Sequence, residues 1–211
     1  MQSFLIVQAI LLALAISADA LLAAFSYGSQ KISIPLRSLL LIAFLCTLVL
    51  GLSLSVGELL SAHLNPSITQ FFSFAILFSL GLLRIFDGFV KHLIKGLPSS
   101  GREIQFSLLR LKFILQVYAD PESADVDASR TLSLGEASFL AIALSLDGIA
   151  AGLGAGLMGL PIFLTISLTF LFTLGAIATG FVLGKRLSSK VPIDLSWLSG
   201  GLLILLAILQ L

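Results

Sequence analysis

The chain has 211 residues, 58% of them hydrophobic and only 11% charged. Soluble domains carry about 25% charged residues, so this is membrane composition, and the long apolar stretches consume most of the chain, leaving no room for a separate soluble domain. The formal net charge of +1 conceals a strongly uneven distribution of cations along the chain.

A transmembrane helix needs roughly 20 mainly apolar residues, and six stretches meet that requirement. Their apolar runs are continuous rather than alternating at period two, which excludes a membrane β-barrel. Span one covers about 4–27 and holds a lone carboxylate, Asp19, within LALAISADALLAAFSYG (12–28). A signal peptide is the competing reading, but that needs a basic leading region and nothing basic precedes Lys31. A retained helix is therefore expected. Span two, about 36–56, follows Pro35 and contains Cys46, the only cysteine, which excludes an internal disulfide and reads as ordinary packing.

Span three, about 68–90, carries Arg84 and Asp87, with Lys91 four beyond the acid. One reading is a ladder of helical ion pairs that snorkels to the cytoplasmic interface. The other is an acid on the access route whose charge Arg84 balances while the site is empty.

The segment 91–134 is the only sizeable polar stretch. Residues 104–118 fit strand alternation and an interfacial helix stripe equally well. In DVDASRTLSLGE, Asp125, Asp127, Ser129, Thr131, Ser133 and Glu136 fall at positions 1, 3, 5, 7, 9 and 12 of an EF-hand-type loop, a candidate Ca²⁺ or Mn²⁺ site. Arg130 stands where the sharp turn ordinarily takes glycine. Alternatively, this is an acidic solvated turn whose Ser133 caps the next helix, with Glu136 at N3 completing a capping box. Both readings can hold at once.

Span four, about 135–157, includes ASFLAIALSLDGIAAGLGAGL, whose single charge is Asp147. Spans five and six cover about 161–183 and 194–211. Of the 12 Lys and Arg residues, Lys31 and Arg37 follow span one, six fall between Lys91 and Arg130, and Lys185, Arg186 and Lys190 follow span five. Only Arg84 lies inside a span. The connections 57–67 and 157–161 contain no Lys or Arg. The positive-inside bias then places the three basic connections in the cytoplasm and both termini outside.

With the two aspartates aligned, Leu12, Ala13, Ala15, Ser17, Asp19, Ala23 and Gly28 match Leu140, Ala141, Ala143, Ser145, Asp147, Ala151 and Gly156. Pro35 and Pro161 open the following spans in the same way. The pattern indicates duplication of a three-span unit. An odd number of spans inverts the second copy, as the charge asymmetry independently requires. The expected fold is therefore an all-α integral membrane protein with six transmembrane helices in two inverted three-helix repeats. The first repeat occupies 1–90, the cytoplasmic loop 91–134 and the second repeat 135–211. In transporters of this kind, substrate sites lie near the midplane where the repeats meet.

A charged Asp at the bilayer centre costs roughly 2.5–3.5 kcal/mol on insertion scales, so two such residues call for partners or a purpose. They can be protonated and structural, relay protons, or form a cation site together. Carboxylates are hard donors suited to Mg²⁺, Ca²⁺ or Mn²⁺, and softer His or Cys ligands are missing nearby. Ser17 and Ser145, two residues before each acid, are candidate auxiliary ligands from an unwound or adjacent turn. Gly148, Gly152 and Gly156, four apart, form a small-residue face that would let spans one and four cross closely.

AISADALLAAFSYG and ALSLDGIAAGLGAG resemble the paired aspartate motifs of MntP-type manganese efflux pumps. The run DPESADVDASRTLSLGEASFLAIALSLDGIAAG looks still more like the YtaF sporulation membrane protein branch of that superfamily. The resemblance spans nearly the whole chain and implies six helices, an inverted repeat and Mn²⁺ export, with Asp19 and Asp147 as the carried-over acids. Two positions depart from the pattern: Ala24, where a small polar residue or Gly is typical, and Arg130.

The sequence reading is thus a multi-pass inner-membrane transporter that exports a divalent cation, Mn²⁺ foremost, by rocking one three-helix half against the other. It has no tightly bound cofactor, no nucleic-acid partner and no catalytic constellation. The competing class is a non-transporting, sporulation-associated membrane scaffold with a calcium-sensing cytoplasmic loop. A duplicated intramembrane acid favours transport, since a scaffold has no use for it. Export of an organic acid would need a fixed intramembrane cation, and Arg84 is expected to lie too near the interface to serve.

Overall fold

The computed structural model describes residues 2–86, 129–187 and 196–209. Within them the chain forms six helices: α1 (Gln2–Ser29), α2 (Leu36–Ser61), α3 (Pro66–Ile85), α4 (Leu134–Leu157), α5 (Ile162–Leu187) and α6 (Ser196–Ile208). By length and composition, five of these, α1 to α5, can cross a membrane. The sixth is apolar but has only 13 residues. Among the described residues the β-structure is a single isolated bridge, Ser33 to Thr131.

The helix boundaries follow from local chemistry. Pro35, held extended, is the N-cap of α2. Asn65 precedes α3, which starts on Pro66, where the missing N–H of proline costs nothing. The capping box at α4 forms as the sequence indicates. Ser133 Oγ accepts from the Glu136 N–H, and the Glu136 carboxylate accepts from the Ser133 N–H at 2.9 Å. Gly159, at φ 72°, turns the chain between α4 and α5 in a region that L side chains avoid.

Large apolar side chains such as Phe71, Leu36, Leu52, Phe163 and Leu171 point outward, while the interior holds small residues including Ala13, Ala20, Ala141 and Ala155. An apolar exterior of this kind is stable against lipid rather than water. The closest pairings are α1 with α5, α2 with α4, and α3 with α6. Each joins a helix from the first half of the chain to one from the second. Exchanging the halves (α1 for α4, α2 for α5, α3 for α6) maps this pattern onto itself.

Glycines set the closest approaches. A Cβ on Gly28 would strike the Phe181 carbonyl oxygen, and one on Gly184 the Phe25 carbonyl oxygen. Likewise, Gly156 faces the Leu54 carbonyl and Gly57 the Leu153 carbonyl. The halves are therefore interlocked, and neither has a core of its own.

The connections gather at opposite ends. Ser33 N donates to Arg130 O at 2.8 Å, Leu132 N donates to Ser33 O at 3.0 Å, and Ser38 Oγ donates to Leu132 O at 2.7 Å. These bonds staple the start of α4 to the α1–α2 turn. Gly28 abuts the Lys185 backbone, so the end of α5 lies there too. Lys31, Arg37, Arg130, Lys185 and Arg186 thereby share one end of the bundle.

Candidate metal centre

Asp19 lies within α1 and Asp147 within α4, both in unbroken helix. Their side chains are 11% and 23% exposed. They converge on one atom: Arg84 Nη2 donates to Asp19 Oδ2 and also to Asp147 Oδ2. The Arg84 side chain is itself only 8% exposed. Two negative charges and one positive charge leave the cluster with a formal charge of −1.

Arg84 therefore does not snorkel to an interface, and it is not too remote to meet the acids. The cause is the tilt of helical side chains toward the N-terminus of their own helix. Arg84 sits in the last turn of α3 and reaches back toward Pro66, into the bundle rather than out of its end. Its stem is confined by α6: a Cβ on Gly200 would stand 3.0 Å from Arg84 Cβ. Asp87, the other half of the expected ladder, lies outside the described residues. The signal for Arg84 was available in the sequence as the only basic residue inside a span.

The glycine stripe of α4 serves a different neighbour from the one expected. A Cβ on Gly152 would meet Ser53 and Leu50, and one on Gly156 would meet Leu54, all of them on α2. A stripe of small residues specifies close approach but not which helix approaches, and here α2 fills the place assigned to α1. Gly148 behaves differently. It is buried, yet a Cβ there would meet no atom within 4 Å. Open space thus adjoins Asp147 inside the bundle.

Ser17 and Ser145 are buried, and their hydroxyls donate to the carbonyls three residues back, Leu14 at 3.1 Å and Ile142 at 2.9 Å. Two residues along a helix is about 200° of rotation, so each serine lies on nearly the opposite face from its aspartate. The structure does not bring them to the carboxylates, and no unwound turn is present in α1 or α4. Further buried hydroxyls that sequence reading passed over, Thr165, Thr169 and Thr173, line one face of α5.

In the acidic loop, Asp125 and Asp127 lie outside the described residues. Ser129 Oγ and Thr131 Oγ1 are 3.0 Å apart, and Arg130 adopts φ 59°, a left-handed conformation that ordinarily favours glycine. Glu136, only 8% exposed, spends its carboxylate on the Ser133 N–H and, at 2.7 Å, the Ser133 hydroxyl. The helix cap therefore engages the group that position 12 of a metal loop would need. Among the described residues no cluster of three or more His, Cys, Asp or Glu occurs. A cation at Asp19 and Asp147 would complete its shell with water or neutral oxygens, as hard divalent ions do.

Comparison with known proteins gives two matches. Residues 54–211 match the family model described as "Putative manganese efflux pump". The chain is also similar to a protein of Bacillus subtilis (strain 168) described as "Probable sporulation protein YtaF", with 29% identity over 97% of this chain and 99% of that protein. No solved structure matches.

Proposed function

The chain belongs to the MntP family of manganese efflux pumps, and from that membership we propose that it exports Mn²⁺ by alternating access around Asp19 and Asp147. It is a multi-pass protein of the plasma membrane. The observation that carries the reading is the convergence of the two acids, from different halves of the chain, on a single cationic atom. A position that holds a guanidinium nitrogen between two carboxylates is electrostatically suited to a metal cation. The open space at Gly148 supplies room beside it. Two carboxylates neutralise a divalent ion, whereas one would leave an uncompensated charge in a low-dielectric bundle.

The exchange-symmetric helix pairing supports an inverted repeat, and the gathering of the basic residues at one end supports a cytoplasmic face there, with both termini outside. Because the halves interlock, the units that shift relative to one another in this reading are the three cross-half pairs α1–α5, α2–α4 and α3–α6, which touch one another about equally. The named role of the Bacillus relative extends by proposal to this chain, setting its efflux in sporulation.

The test is Mn²⁺ efflux measured in sealed vesicles containing the purified protein, with Asp19→Asn and Asp147→Asn beside the wild type. Asn keeps the shape and removes the charge, so each variant should insert and fold but lose transport. Wild-type rates in both variants would refute the cation site.

A further inference from the structure

Arg84 breaks the symmetry of the repeat. The acids occur once in each half, but the cation occurs only in α3. Counting three residues on from the contacting glycines Gly81 and Gly200 gives Arg84 in one half and Leu203 in the other. The arginine is buried, its stem lies against Gly200, and its Nη2 occupies the point where both carboxylates meet. A metal ion bridging Asp19 and Asp147 would need that same point. Arg84 and the metal are therefore mutually exclusive.

Resting on the cation-export reading, we propose that Arg84 is a tethered stand-in for the cargo: it holds the two carboxylates when no metal is bound, and a divalent cation displaces it. Charge arithmetic decides which ions succeed. With Arg84 in place the cluster carries −1, and a divalent ion that replaces the guanidinium brings it to zero. A monovalent ion making the same exchange leaves −1 and gains nothing over the tethered arginine, which is already at hand at high effective concentration. The arrangement thus selects against Na⁺ and K⁺ without a size filter.

The same arithmetic governs the empty carrier. Without Arg84, the metal-free site would hold two uncompensated carboxylates, which are costly to enclose in a low-dielectric bundle during the return step. Arg84 lowers the charge that the empty form must enclose from −2 to −1. Exchange of one metal ion for another never passes through the empty form and does not need the arginine.

The test is Arg84→Gln, measured three ways against wild type in reconstituted vesicles. Mn²⁺ binding should tighten by about tenfold or more, because the competing cation is gone. Net Mn²⁺ efflux should be lost, while exchange of radioactive Mn²⁺ across vesicles loaded with unlabelled Mn²⁺ should persist. An arginine of purely structural role predicts the opposite: weaker binding and loss of exchange with efflux.

Wild-type protein carrying ¹⁵N-labelled arginine gives a readout that does not depend on the variant folding. In infrared difference spectra, Mn²⁺ should shift an arginine band together with the carboxylate bands. Unchanged or weaker binding in Arg84→Gln, retained net efflux, or a carboxylate shift without an arginine shift would each overturn the stand-in role. Each would leave export itself standing as long as the wild type transports. Failure of the wild type to bind or move Mn²⁺ would overturn the export reading and this inference with it.

Discussion

Gly148 and Gly152 stand one turn apart on α4, and the structure gives them opposite surroundings. A methyl group at Gly148 would meet nothing within 4 Å. At Gly152 it would lie 2.8 Å from Ser53 Cβ, 3.0 Å from Leu50 Cδ1 and 3.0 Å from Leu50 O. Carbon atoms rest at about 3.5–4.0 Å from one another, so Gly152→Ala must push α2 and α4 apart by about 0.7 Å at their seam. Overpacking of this kind costs about 1–3 kcal/mol. Both substitutions gain the same helix propensity, about 1 kcal/mol, so the difference between them isolates the packing contribution. Gly148→Ala should unfold at or above the wild-type temperature in detergent, and Gly152→Ala should be about 1–3 kcal/mol less stable than Gly148→Ala. Transport should rank the other way for the first variant. The added methyl fills the space beside Asp147, and Mn²⁺ efflux should fall about tenfold, equivalent to ~1.4 kcal/mol of lost ion binding. Equal destabilisation by the two variants would mean that the space at Gly148 does not exist. A stable Gly148→Ala that transports at the wild-type rate would mean that the ion does not use it.

The double variant Asp19→Asn/Asp147→Asn should export Mn²⁺ no worse than either single variant, because each single change already empties the site; a further loss in the double would show two independent sites. Ser133→Ala removes the capping box of α4 and should cost about 1 kcal/mol, read as a lower unfolding temperature with and without Ca²⁺. A loss seen only with Ca²⁺ would favour the loop metal site over the cap. Reporters fused after Leu211 and inserted near Gly101 should report opposite faces of the membrane, and finding both on one face would break the six-span inverted topology.

Features written along the chain were legible in the sequence. Apolar run length gave five of the six spans, Ser133 and Glu136 at their three-residue spacing gave the cap, and the repeated Ser-x-Asp marked the acids that the structure brings to one point. Features that depend on which helix faces which were not. Gly152 and Gly156 advertise a close neighbour without naming it, and only the folded bundle identifies α2. Arg84 was misplaced for a subtler reason. Its position along α3 lies near a helix end, but a long side chain acts at its tip, and the tip of a helical arginine lies toward the N-terminus of its own helix. For α3 that direction is inward, so the same sequence position suggests an interfacial cation when read by its Cα and an intramembrane one when read by its guanidinium. The difference bears directly on function. A duplicated pair of acids alone would be equivalent when approached from either side of the membrane. One arginine, present in a single half and anchored beside Gly200, breaks the two-fold equivalence of the metal-free site and ties it to α3. If Arg84 competes with the metal as proposed, any displacement of α3 relative to α1 and α4 carries the guanidinium toward or away from the carboxylates, so the position of that one helix sets the charge of the site.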